Sequence, residues 1–214
     1  YGVLPRLAAK LGAGWYAPGY SMSLAILSRW PIVRTDSPYM APWNYLDASG
    51  PFNLGFAELS VEGQRVRCCP LWINWEPSES SVPVENATVA DILRWELSAP
   101  RFSNRRVDEI DGILKALRVQ IEDTDEVPLV IGGDFNGYVE PHEPLLAKAG
   151  FTDTYRMFHP ELDGTNAFTW ASPKSNRREF IDYIFSKGAK LRPVASETFH
   201  AAWHKPFEFR GRSY

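Results

Sequence analysis

Three polar side chains stand where apolar, strand-like sequence would place chemistry: Asp134, Asn136 and Asp182. The run Val130-Ile131-Gly132-Gly133-Asp134-Phe135-Asn136 delivers a carboxylate and then, two residues on, a carboxamide. Alternation along an extended strand puts Asp134 and Asn136 on the same face. An acid and an amide presented this way, beside glycines that permit close approach, can polarise a water and hold a phosphoryl oxygen or a divalent cation. Gly, Asp and Asn are also ordinary turn formers, so a strand followed by an Asx turn is the competing reading. Asp182 lies inside Phe180-Ile181-Asp182-Tyr183-Ile184-Phe185. Burying that carboxylate alone would cost several kcal/mol or force its protonation, so a buried Asp182 needs a partner. Orienting a catalytic histidine is the usual work of such a group, and an edge strand with Asp182 facing water is the alternative.

The elements that would carry these groups follow from periodicity. Val3, Leu4, Leu7, Ala8 and Leu11 recur at helical spacing, and Gly12 supplies a stop. Short β-like runs at 23–27 and 32–33 are broken by Pro31, and 53–60 and 64–73 flank the turn Val61-Glu62-Gly63 as a hairpin. A short helical stretch between Asn86 and Asn104 is interrupted by Pro100. Beyond it, Ile110, Leu114, Leu117 and Ile121 trace one face of a longer helix for which Ser103 is the expected N-cap. Pro128 to Ile131 reads as a buried strand closed by Gly132-Gly133, with a short helix near 145–149 after it. A second hairpin is expected from 180–185 and 191–196 around Lys187-Gly188. No repeat or linker divides the chain, so one domain over 1–214, mixed α and β with mostly antiparallel pairing, is expected.

Composition narrows the function classes. A chain of 214 residues that is 44% hydrophobic buries a substantial core. The net charge of −3 supplies no electrostatic footprint for sequence-independent binding to a phosphate backbone. The longest apolar runs are too short to cross a bilayer, and a monomer is expected. Cys68 and Cys69 are adjacent, so they form neither a disulfide framework nor a zinc site and read as buried bystanders. Compartment is left open, because the chain does not start with Met and a targeting signal can lie upstream.

Four segments in order resemble the endonuclease/exonuclease/phosphatase superfamily, which includes deoxyribonuclease I type nucleases, abasic-site endonucleases, sphingomyelinases and inositol phosphatases. They are Ala25-Ile26-Leu27-Ser28-Arg29-Trp30-Pro31-Ile32, then Gly133-Asp134-Phe135-Asn136, then Gly150-Phe151-Thr152-Asp153-Thr154-Tyr155-Arg156 with Phe168-Thr169-Trp170, and Ile181-Asp182-Tyr183-Ile184. The resemblance implies an α/β fold, a four-layer sandwich of two packed mixed, mostly antiparallel sheets flanked by helices. It implies magnesium or manganese as cofactor, held with the help of Asp134 and Asn136, and a phosphate-containing substrate. By the same resemblance Asp134 activates the attacking water or holds a metal, Asn136 binds the scissile phosphate or helps bind a metal, and Asp182 orients a histidine. The shared reaction is in-line attack of water on a phosphoester.

The sequence also departs from the family pattern. The family's Asn and Glu metal ligands precede the segment matching Val3 to Leu11, and its Asp-His pair follows a segment like 207–214, so the chain is expected to be incomplete at both ends. Where relatives carry a His-Leu-Asp-Trp strand end, the register gives Trp72-Ile73-Asn74-Trp75, and Trp72 has a single donor and no basic nitrogen. Trp72 and Asn74 are therefore candidate substrate contacts in place of the histidine. His200 and His204 are candidate partners for Asp182, His142 reads as an ordinary solvated loop residue, and Arg105 and Arg106 as a solvated helix face. Tyr155 and Trp170 read as packing aromatics. Beside phosphoester hydrolysis stand two alternatives, a binding module that keeps the fold without catalysis and a secreted sphingomyelinase-like lipid phosphodiesterase.

Overall fold

The computed structural model describes residues 3–12, 14–18, 24–35, 53–73, 100–136, 142–160, 168–171, 178–198, 208–209 and 212–213. The first half comprises helix α1 (Val3–Leu11) and strands β1 (Trp15–Pro18), β2 (Ala25–Ser28), β3 (Ile32–Thr35), β4 (Asn53–Leu54), β5 (Ala57–Val61) and β6 (Gln64–Trp72). Helices α2 (Pro100–Ala116) and α3 (Arg118–Glu122), strand β7 (Leu129–Asp134) and helix α4 (His142–Lys148) follow. The remainder comprises β8 (Thr152–Asp153), β9 (Trp170–Ala171), β10 (Arg178–Glu179), β11 (Asp182–Lys187), β12 (Glu208–Phe209) and β13 (Arg212–Ser213). The helical stretch expected before Pro100 lies outside the described residues.

A seven-stranded sheet in the order β3-β5-β6-β7-β11-β8, with β4 also on β6, organises the molecule. All its pairings are antiparallel except β6 with β7. Mixed α/β architecture with mostly antiparallel pairing is thus as expected. The described residues comprise this sheet, the two-stranded ladders β1-β2, β9-β10 and β12-β13, and the flanking helices.

Register assigns the two faces of the sheet. Partnered residues share a face, so Cys69, Leu71, Ile131, Tyr183 and Phe185 point one way. All five are at most 2% exposed and form one core with Ile110, Ile113 and Leu117 of the α2 region and Leu146 of α4. The other face carries Trp72, Asp134, Asp182 and Ile184, each partly or largely exposed. The first hairpin forms as expected, because Glu62 (φ 51) and Gly63 (φ 84) both take the left-handed conformation that a tight two-residue turn between twisted strands requires.

Three expectations are corrected. The long helix starts at Pro100 and Ser103 lies inside it, since proline presets the helical φ and loses nothing at a first-turn position whose N–H has no partner. The glycines 132 and 133 belong to β7 rather than closing it. The second hairpin does not form: residues 191–198 pair with no strand, and β11 is flanked instead by β7 and β8. The chain after β11 packs Gly188 against the Thr124 carbonyl and Pro128, and the His159 imidazole Nε2 tethers the later segment at the Ser196 carbonyl, 2.8 Å away.

Candidate functional site

The parallel partner of Asp134 is Trp72 and its antiparallel partner is Asp182, so three adjacent strands bring these side chains to one end of one face. The Phe135 amide donates to the Ile181 carbonyl (2.8 Å). That places Asp134 and Asp182 in a non-hydrogen-bonded pair, whose Cα atoms lie roughly 4.5 Å apart. Like charges on directly opposite residues disfavour the pairing, an effect that a cation bound between them would offset. Asp182 is exposed rather than buried in its apolar run. The premise that burial forces a partner on it is therefore corrected: alternation puts its apolar neighbours Ile181 and Tyr183 on the other side.

Asn136 joins Asp134 by a different route from the one alternation suggests. The strand ends at Asp134, and Asn136 turns back with φ 48 while its amide donates to Asp134 Oδ1 (2.8 Å). This is the Asx turn expected as the alternative to the functional reading, and the turn itself holds carboxylate and carboxamide together. Asn136 Nδ2 donates to the Ile73 carbonyl at 2.6 Å. Among the described residues its second N–H and its Oδ1 stay open to a ligand. Between the two polar residues, Phe135 is 1% exposed and anchors the turn in the core against Tyr183 (5.5 Å between ring centroids) and Phe185 (5.4 Å).

Close approach of β7 to β6 sets the position of Asp134. Gly133 has φ 148, and a Cβ there would lie 2.0 Å from the Leu71 carbonyl oxygen. No other residue type fits at that point.

His142 is corrected outright. It is 1% exposed, 4.9 Å from the Phe135 ring and 4.3 Å from that of Tyr183, a core residue at the start of α4 rather than a solvated loop group. Tyr155 packs as expected, between His159 (4.4 Å) and Phe180 (5.0 Å). The Tyr155-Arg156 motif forms a clasp between the turn after β8 and α4. Asp153 Oδ1 accepts the amides of both residues, and Arg156 pairs with Glu143 of α4 at 2.6 Å. Asn74, His200 and His204 lie outside the described residues, as do the side chains of Arg105 and Arg106.

Two contributors were missed by sequence reasoning. One is the Ile73 carbonyl, a backbone group with no sequence signal. The other is Thr169, whose Oγ1 accepts the amides of Ile181 and Asp182, each at 3.0 Å. Its sequence signal is the hydroxyl residue set between two aromatics in Phe168-Thr169-Trp170. A cavity of about 350 Å³ opens beside it, lined by Asp182, Thr169, Thr154, Tyr155 and Phe180 among others. Asp134 and Asn136 are not among its lining residues, so the trio converges at the strand ends and not at this cavity's mouth.

The donor set suits a hard cation, since carboxylate and amide oxygens are what magnesium prefers, and magnesium is usually held by one or two carboxylates together with substrate phosphate. Among the described residues no three His, Cys, Asp or Glu side chains come together.

A family model described as the Endonuclease/Exonuclease/phosphatase family matches residues 3–204. No curated protein matches the chain. Truncated TDP2 of Caenorhabditis elegans superposes with a TM-score of 0.56 at 14% identity, covering 86% of this chain and 66% of that one. TDP2 of D. rerio, crystallised with a single-strand DNA product, gives 0.52 at 15% identity over 89% and 68%. Staphylococcus aureus beta toxin gives 0.60 at 15% identity over 100% and 78%. The chain therefore spans just under two thirds of the truncated nematode protein and about half (51%) of a longer nematode TDP2 chain, and likenesses at this identity concern the fold.

Proposed function

We propose, from the premise that this chain belongs to the endonuclease/exonuclease/phosphatase family, that it hydrolyses a phosphoester by attack of an activated water. The observation that carries the reading is the face-to-face pair Asp134 and Asp182, with Asn136 bound to the first of them. In this reading Asp134 takes the proton of the attacking water or helps to hold a cation. Asn136, its amide fixed by the Ile73 carbonyl, offers the remaining N–H to a phosphoryl oxygen or its Oδ1 to the same cation. Asp182 orients a histidine, for which His200 and His204 remain the candidates within the chain. Trp72 lies beside Asp134 and offers an indole face and one N–H to the substrate. Asn74 is the second proposed substrate contact. Magnesium or manganese at Asp134 and Asn136 would supply charge neutralisation of the phosphoryl group and a more acidic water.

The test is hydrolysis of a generic phosphodiester such as bis(p-nitrophenyl) phosphate with magnesium present. Asp134→Ala should lower kcat by ~10²–10⁴, the worth of a positioned acid or base. Activity that survives within about tenfold would sink the assignment. Trp72 favours a second reading, a binding module, because it stands beside the acid where the family resemblance implies a histidine. Magnesium-dependent turnover in the same assay dismisses that reading. No helix among the described residues is long and apolar enough to cross a membrane.

A further inference from the structure

β11 enters the sheet with one edge only partly covered. On the β8 side, ladder pairing reaches Phe185 and Ser186, and Thr154 then extends it by one step, its amide and its Oγ1 both donating to the Ile184 carbonyl at 2.9 and 3.0 Å. Toward Asp182 that strand supplies nothing further. A side chain takes its place. The β9-β10 ladder, with Glu179 opposite Trp170, carries Thr169 to the start of β11, and there Oγ1 accepts the consecutive amides of Ile181 and Asp182.

Two donors on one hydroxyl oxygen occupy both of its lone pairs and leave only its own proton to give. From the other side the Phe135 amide holds the Ile181 carbonyl. The backbone that presents Asp182 is thus clamped between β7 and one threonine hydroxyl. Asp182 is itself exposed, so side-chain packing contributes little to fixing it.

We propose that Thr169 is a positioning residue for Asp182, holding the strand end so that this carboxylate faces Asp134. The inference rests on the hydrolase reading for its catalytic consequence, though not for its geometry. A branched side chain suits the task, because Thr is stiff at χ1 and keeps its hydroxyl in place. Misplacing a reacting group by ~1 Å can cost ~10² in rate, so loss of the clamp should be visible in turnover.

The experiment compares Thr169→Val, isosteric without the hydroxyl, with Thr169→Ser, which keeps it, and has two readouts. In amide hydrogen exchange, Thr169→Val should speed exchange at Ile181 and Asp182 by about tenfold or more while Phe185 stays protected, and Thr169→Ser should resemble the wild type. In phosphodiester hydrolysis, Thr169→Val should lower kcat about tenfold or more with KM little changed, and should add no further loss in an Asp182→Ala background. Unchanged protection of the two amides in Thr169→Val, or a serine variant that falls as far as the valine one, overturns the proposal. If the wild type and Asp182→Ala turn over at the same rate, the hydrolase role of Asp182 fails instead, and the exchange result alone decides whether Thr169 is the clamp.

Discussion

Asn136 adopts φ 48, a conformation that a side chain with a Cβ enters only at some cost. This makes glycine the cleaner deletion: Asn136→Gly removes the carboxamide and keeps the turn, whereas Asn136→Ala also carries about 1 kcal/mol of left-handed strain. Both variants should lose turnover to a similar degree, and urea denaturation should find the alanine protein less stable. Equal stability of the two would mean that the backbone relaxes and that the turn is not imposed by the Phe135 anchor. Cys68 makes a residue-scale prediction of another kind. Burial pushes its thiol from the ordinary 9.0 up to about 11, and burial also raises Cys69, with the Cys68 charge adding to it. A raised folded-state value means that the native protein keeps a proton the unfolded chain has lost. Stability is then complete below pH 9 and declines as pH rises from 9 toward 11. Cys68→Ala should remove about 2 kcal/mol of that decline, read from denaturation midpoints at pH 8 and pH 10.5.

The elements that carry the site are held at their far end by a buried charge cluster. Arg67 of β6, 8% exposed, reaches Glu58 of β5 at 3.4 Å, Asp123 at 2.7 Å and the Gln120 carbonyl at 3.2 Å, tying the hairpin to the end of α3. Glu58 is 1% exposed, so removing Arg67 takes away its buried partner and leaves this carboxylate to Arg65, whose side chain lies mostly in solvent. Arg67→Ala should therefore cost about 3–5 kcal/mol. Arg65 also bonds Glu58 but is 61% exposed, and Arg65→Ala should cost no more than about 1 kcal/mol. Chemical denaturation of the two variants separates these values, and equal losses would show that Arg67 is not the member on which the cluster depends. The cluster sits on β6 and β5 well away from Asp134, so either variant that folds should retain its KM.

For the molecule as a whole, the proposed cation links site and stability. A ligand that binds only the folded state stabilises it by about 2.7 kcal/mol at a hundredfold excess over Kd. For a chain of this size that corresponds to a Tm rise of roughly 5–10 °C. Magnesium should raise Tm in the wild type and lose most of that effect in Asp134→Ala. An identical shift in both would place the cation elsewhere. The readout needs no substrate and so remains informative whichever phosphoester the protein acts on.

Much of the order of elements, and the placing of Asp134 and Asp182 on strands, was legible in the sequence, because both depend on local rules. Helical spacing marked Val3–Leu11, the Glu62-Gly63 pair marked a tight turn, and the motifs around Asp134 and Asp182 marked the strands that carry them. Tertiary structure decided what faces what. Nothing local makes Trp72 and Asp182 the two neighbours of Asp134, since that depends on β6 and β11 choosing opposite edges of β7. Pairing with β8 likewise cost the second expected hairpin its partner edge. His142 became core because space between Phe135 and Tyr183 had to be filled, and Thr169 became a clamp because a strand edge ran out of backbone partners. A chain encodes its own periodicity directly, but packing density and hydrogen-bond satisfaction are properties of segments brought together, and they fix the rest.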